Sequence, residues 1–308
     1  MMIIDAHAHI FSTIRGRIAG GPTEGRGYGF VAAGGETIRV LPPYNSKTSY
    51  TLDMLLTNLE WAGVDQAVLL QGPFYGECNE YVAEAVRDHP KKLYGAAYLD
   101  PWAPGCRESL DHIIDQGCFV AVKLECSLAS GYFGIHPDAD LGSPDLSWLW
   151  QRLERHGLVL VLDLGAVGSR SYQTKAIRAI AQQHPDLKIV IAHLGQPGPQ
   201  VEAIPSAMSL WQEQIDLGKL NNVWFDSAAL PAYLPDEDYP FSTAGRYLRL
   251  AIERIGPEKV LWGTDQPGLL IHASLPQLVR LAFLHTEFLS PDERALFLGG
   301  NARKVYSK

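Results

Sequence analysis

Close to its N-terminus the chain reads Asp5-Ala6-His7-Ala8-His9, directly after Met1-Met2-Ile3-Ile4. Side chains two apart on a strand share a face. His7 and His9 therefore project together from the C-terminal end of an apolar strand. Two imidazoles a few Å apart can chelate one cation, or they can pack as a pair that needs other partners. Comparable polar residues end other apolar runs along the chain. Gln71 is followed by Tyr75, Glu77 and Asn79, and another run ends in Asp100-Pro101-Trp102. Lys123 and Glu125 share a face by the same period of two. Asp163, His193, Asp226 and Asp265 close four further runs. An inward lysine or aspartate is costly unless paired or used. Lys123 with Glu125 or Asp163 reads equally well as a structural bridge. A convergence of His, His, Lys, Asp, His and Asp on one rim reads as a site.

The elements that must position these groups are legible as alternation. Eight apolar runs recur: Ile3–Ile10, Ala67–Gln71, Leu93–Leu99, Phe119–Leu124, Leu158–Leu164, Lys188–Leu194, Val223–Ser227 and Val260–Thr264. Most are rich in Val, Ile and Leu with little polar alternation, as strands covered on both faces are. Amphipathic stretches separate them: Leu52–Trp61, Glu80–His89, Arg107–Gln116, Ser147–His156, Tyr172–His184, Ser206–Leu217, Thr243–Ile255, Pro276–His285 and Pro291–Val305. Pro90, Gly117, Gly157, Pro185, Gly218 and Gly256 stop helices where the chain must reverse. Eight strand–helix units predict parallel strands closed into a (β/α)8 TIM barrel, a single domain over residues 1–308. An open doubly wound sheet would carry a glycine-rich loop after its first strand; here His9-Ile10-Phe11 follows. The segment from Phe11 to Tyr50, rich in Gly and Pro, breaks the regularity. It reads as a long loop laid over the barrel mouth as a partial lid. In such barrels the chemistry sits at the C-terminal strand ends, so each polar terminus above falls where it could act.

Composition narrows the partners. The chain has 308 residues, 46% of them hydrophobic and 19% charged, as ordinary globular proteins do. A net charge of −8 argues against nucleic acid or an anionic membrane. No run approaches the ~20 apolar residues that span a bilayer. Asp5 and His7 interrupt the first apolar run, so it does not read as a signal peptide. The four cysteines form no C-x-x-C pair and suit a reducing cytoplasm. A small-molecule substrate is expected, and a homodimer is the commonest assembly for such enzymes.

Three signatures together carry a resemblance: His7-x-His9 after the first strand, His193-Leu194-Gly195-Gln196-Pro197 after the sixth, and Gly263-Thr264-Asp265 after the eighth. With Gly117 to Leu124 and the closing Gly299-Gly300-Asn301-Ala302-Arg303, the whole chain resembles the amidohydrolase superfamily. It is most similar to the amidohydrolase-related branch that holds pyrone and sugar lactonases and aminocarboxymuconate-semialdehyde-type decarboxylases. The resemblance implies one divalent metal ion, zinc or manganese, on His7, His9 and Asp265. Asp163 stands where zinc-binding members place a histidine and would supply the missing ligand. Some lactonase members lack that histidine and work without metal, so a metal-free route stays open. A binuclear site on a carboxylated Lys123 is the remaining variant.

The expected reaction is hydrolysis of a small, carboxylated cyclic ester or related carbonyl compound. Asp265 would be the base and His193 the group that orients water or polarises the carbonyl. Lys123 would pair with a substrate carboxylate, joined by Arg15 or Arg17 from the lid. Gln71, Tyr75, Trp102 and Glu125 complete the expected substrate-binding set, with Tyr75 and Trp102 packing on a flat ring. The alternative is non-oxidative decarboxylation of an aromatic or muconate-type acid. A barrel that binds ligand without chemistry is the third reading.

Overall fold

A computed structural model describes residues 1–234 and 236–307. Its twelve strands, numbered along the chain, fall into two sheets. The larger is an eight-stranded parallel sheet in the order β1 (Ile4–Ala8), β6 (Gln66–Leu69), β7 (Leu93–Tyr98), β8 (Phe119–Glu125), β9 (Val159–Asp163), β10 (Ile189–Ile191), β11 (Val223–Asp226) and β12 (Val260–Leu261). Each lies within or beside an expected apolar run, and helices separate them as the alternation predicts. The Leu52–Ala62 helix shows the local logic. Thr51 Oγ1 accepts from Met54 N, Leu55 and Leu59 are buried, and Gly63 at φ 69° ends the helix. A left-handed end of this kind favours glycine, and each buried leucine contributes about 1.5–3 kcal/mol.

Adjacent strands run parallel from β1 to β12. The last seam closes through irregular backbone: Ala6 N donates to Trp262 O (2.9 Å), Asp265 N to His7 O (2.8 Å) and His9 N to Gln266 O (2.8 Å). The barrel is thus continuous although β12 itself spans two residues. Asp5 locks the seam. Its buried carboxylate accepts from Thr264 N (2.9 Å), Thr264 Oγ1 (2.6 Å), Gln266 Nε2 (2.7 Å) and His7 N (3.1 Å). Burial raises the Asp5 carboxyl to about 6, with those hydrogen bonds pulling the other way. The barrel interior below the site is apolar, filled by Ile4, Ala6, Val68, Leu70, Ala121, Val161, Trp224 and Leu261.

The segment expected as a loop over the mouth is a folded element. Arg17–Ile18 (β2), Gly21–Gly27 (β3), Phe30–Ala33 (β4) and Glu36–Arg39 (β5) form an antiparallel sheet. Gly34 (φ 57°) and Gly35 (φ 86°) make the two-residue turn that pairs Ala33 with Glu36; two consecutive left-handed glycines suit a tight hairpin. Glycine and proline mark turns between short strands here, whereas the sequence reading took them for a continuous loop. Among the described residues no helix is long and apolar enough to cross a membrane.

Candidate active site

Two local departures from regular β structure build the site. Relative to β6, β1 carries one extra residue between Asp5 and Ala8. A bulge of this kind re-aims side chains. Ile4 and Ala6 therefore belong to the inner apolar cluster, yet His7 and His9 also reach the barrel mouth. The same slip turns Asp5 to the seam, where the period of two had placed it inward with the histidines. The second departure is backbone in the left-handed region at His193 (φ 57°), Leu194 (φ 53°) and Asp265 (φ 63°). Non-glycine residues held there are costly and cluster at functional sites. They follow β10 and β12, which are shorter than the apolar pattern suggests, and His193 and Asp265 both line the mouth.

The hydrogen bonds fix the state of both β1 histidines. His9 Nδ1 lies 2.8 Å from Leu70 O, which only accepts, so Nδ1 carries the proton. His7 Nδ1 lies 3.1 Å from Asp226 Oδ2 and donates likewise. Burial first, then neighbouring positive charge, pushes the His7 pKa well down. Burial also lowers that of His9. Neutral rings with protonated Nδ1 leave two Nε2 lone pairs. Both face Asp265 Oδ1, at 3.6 Å from His7 and 2.9 Å from His9. Burial would raise the Asp265 pKa, but its close contacts with His9, His7 and the charged His193 hold it at about 2. Two imidazole nitrogens and an ionised oxygen that converge call for positive charge between them, a shared proton or a bound cation. His7, His9 and Asp265 fit a cation in donor type and spacing. The grouping of His7, His193 and Asp226 is instead engaged internally, since Asp226 accepts from His7 Nδ1 and from His193 N.

His193 sits beside this set, its ring 4.6 Å from that of His7. Its Nδ1 donates to Ala228 O (3.2 Å) and its Nε2 to Asp163 Oδ2 (3.0 Å). Burial would lower its pKa, but Asp163, Asp265 and Asp226 outweigh that and lift it to about 9. The ring is an imidazolium paired to Asp163. Lys123 Nζ reaches His7 Nε2 at 3.3 Å and stands 3.7 Å from Glu125 Oε2. Burial opposes its charge, yet the surrounding carboxylates raise its pKa, so the ammonium persists.

These groups form the floor of a cavity of about 500 Å³. His9, Tyr75, Lys123, Glu125, Asp163, His193 and Asp265 all line it; His7, fully buried, lies beneath. Four expectations change. Asp163 does not join the cation-facing donors, because its oxygens accept from His193 Nε2, Gln196 Nε2 (2.9 Å) and Gly165 N (3.3 Å). Gln71 is structural: it donates to Asn79 Oδ1 (2.9 Å) and Ala96 O (3.0 Å) and accepts from Cys78 N (2.9 Å). Trp102 turns away after Pro101 and packs on Tyr132, Phe133 and His136. Arg15 and Arg17 are exposed, outside the cavity wall; the lid contributes Ile38 and Val40 instead. Residues outside the expected set are Asp226, which orients His7, and Gln196, Tyr233, Ser127, Ser130 and Ser169 on the wall. Asp226 carried a signal, as the polar end of β11. Tyr233 lies in a short turn after it and carried none.

Imidazole and carboxylate donors gathered from the first and last strands of a (β/α)8 barrel define a class of enzyme that works at the C-terminal mouth. Within that class the chain belongs to the amidohydrolase family, whose sequence profile matches residues 4–308. Over 139 residues it is 30% identical to the L-fucono-1,5-lactonase of Burkholderia ambifaria, covering 42% of this chain and 45% of that protein. The match thus spans less than half of that relative's length. The fold is shared with a probable 2-pyrone-4,6-dicarboxylic acid hydrolase from Acinetobacter baumannii with citric acid bound (20% identity, 99% of both chains, TM-score 0.70). It is shared equally with a Burkholderia multivorans amidohydrolase with bound zinc (18% identity, 99% of both chains, TM-score 0.71).

Proposed function

We propose that the protein hydrolyses a neutral, hydroxyl-bearing lactone, with Asp265 as the base. The observation that carries this is the convergence of His7 Nε2, His9 Nε2 and Asp265 Oδ1 at the cavity floor. His7, His9 and Asp265 would hold one divalent ion, zinc being the best match to two imidazoles and a carboxylate. When bound, such an ion lowers the pKa of water towards neutrality and polarises a carbonyl. The chain's own residues do the remaining work. Asp265, ionised at all neutral pH values, takes the proton from the attacking water. The His193 imidazolium and the Lys123 ammonium place positive charge beside the oxygen that becomes negative in the tetrahedral intermediate. Asp226 holds His7 in the tautomer whose Nε2 carries no proton.

The wall favours a neutral substrate over the carboxylated one expected from sequence. No arginine lines the cavity among the described residues, and its two cations, Lys123 and His193, are taken up by the oxygen that becomes negative. A dicarboxylate is usually met by arginine forks. The outer wall instead offers hydroxyls from Ser127, Ser130 and Ser169, the Gln196 amide and the phenols of Tyr75 and Tyr233. These suit a polyhydroxylated ring, as does the partial likeness to a fucono-lactonase. Four unpaired thiols fit a cytoplasmic setting. The test is a pH-stat assay of sugar 1,5-lactones beside pyrone dicarboxylates and aromatic acids, with CO2 measured in parallel. Acid release from the sugar lactones is expected. CO2 release from an aromatic acid, without ring opening of any lactone, would overturn the reading in favour of decarboxylation.

A further inference from the structure

Glu125 has no task in the reaction as described. It shares β8 with Lys123, and its register partner on β9 is Asp163. Both carboxyls are buried, with the residues 8% and 4% exposed, and both line the cavity. Two carboxylates side by side in a buried site disfavour double ionisation even beside Lys123, and such a pair favours holding one proton between them. The donors decide which keeps it. Asp163 accepts from the His193 ring, the Gln196 amide and Gly165 N. Among the described residues Glu125 accepts only from Ser127 N at 3.3 Å, and Lys123 Nζ at 3.7 Å is beyond direct hydrogen bonding. The proton therefore rests on Glu125. The groups facing it are Lys123 from its own strand, Cys126 just past the strand's end, Asp163 from β9, and the Tyr75 and Tyr233 phenols from the loops after β6 and β11. Burial and the Asp163 charge hold its carboxyl well above the ordinary carboxylate range.

In the ring of eight, β8 stands four places from β12. The strand that carries Glu125 therefore stands across the barrel from the one that leads to Asp265, and both residues line the cavity. We infer that Glu125 is the general acid that protonates the departing ring oxygen, opposite the base that activates water. The inference rests on the lactone reading above. The balance is simple. Water oxygen bonds to the carbonyl carbon as Asp265 takes one water proton. The bond from carbonyl carbon to ring oxygen then breaks, and that oxygen takes the Glu125 proton as it becomes a hydroxyl. The proton on Asp265 returns to Glu125 through cavity water, leaving one hydroxy acid and an unchanged enzyme.

The test uses the full chain loaded with zinc and two probes. D-glucono-1,5-lactone has a poor alkoxide leaving group; dihydrocoumarin has a phenol that departs without help. Glu125→Gln is expected to lower kcat/KM on gluconolactone by about 10²-fold or more, and on dihydrocoumarin by less than about tenfold. An equal loss on both probes, or none on either, overturns the inference and leaves Glu125 a structural partner of Asp163. A wild-type enzyme that opens neither lactone overturns the lactone reading itself, a distinct result. Should Glu125→Gln fold poorly, Glu125→Asp keeps a proton donor one methylene further back. It is expected to lose more on gluconolactone than on dihydrocoumarin, and equal losses would again overturn the proposal.

Discussion

At the scale of the residue, the site is a set of charges that hold one another in place. His193 shows the sign most clearly. Its folded pKa of about 9 stands above the ordinary 6.5. The stability it contributes is fully present below about pH 6.5 and is lost as pH rises through about 9. His193→Gln is therefore expected to flatten the fall in stability across that window, read as urea midpoints at about pH 6 and about pH 10. An unchanged slope would mean that the pair with Asp163 is not charged. Most of these residues were legible one by one. His7, His9, Lys123, Asp163, His193 and Asp265 each close an apolar run, and a polar terminus on a barrel strand has one place to go. Trp102 and Gln71 end such runs too, yet neither reaches the cavity. A side chain's direction after the last regular residue depends on loop packing, which spacing does not encode. The role of Asp163 turned on a partner 30 residues away, His193, and no local pattern names that partner.

At the scale of the element, the barrel strands follow from hydrophobic runs, while the pieces that aim the chemistry are irregular. The β1 bulge and the left-handed residues at His193 and Asp265 leave no mark in hydropathy. The lid did leave one. Val31-Ala32-Ala33-Gly34-Gly35-Glu36-Thr37-Ile38 is a hairpin signal in itself, hidden by the surrounding glycines. The lid docks tightly at Gly16, where a Cβ would lie 2.0 Å from Pro73 O and 2.5 Å from Gly76 N. Gly16→Ala is expected to cost about 1–3 kcal/mol as the lid lifts, seen as a lower thermal midpoint. It should also raise KM more than it lowers kcat, because Ile38 and Val40 form cavity wall rather than catalytic groups. A fall in kcat at constant KM would place the lid in the chemical step.

At the scale of the whole molecule, the two ends of the chain must meet for the site to exist. His7 and His9 come from β1, and Asp265 follows β12, so the barrel seam runs through the ligand set. The closed barrel was legible because eight strand–helix units leave few other topologies. The seam was not, since it is made by backbone beyond Leu261 and by Asp5 reaching Thr264 and Gln266. An ion held across the seam fastens the first strand to the last. Zinc at 100 times its Kd is expected to stabilise the fold by about 2.7 kcal/mol. Chelation should lower the thermal midpoint, and His9→Gln should abolish the response. A midpoint indifferent to zinc and chelator alike would remove the ion from the site. The most direct measurement is sugar-lactone opening by wild type and Asp265→Asn in one pH-stat series. Asparagine tolerates the left-handed backbone of position 265, so the exchange removes the charge and keeps the fold. The account predicts ring opening by wild type and a loss of about 10²–10⁴-fold in the variant. A variant that opens the ring at the wild-type rate would contradict it.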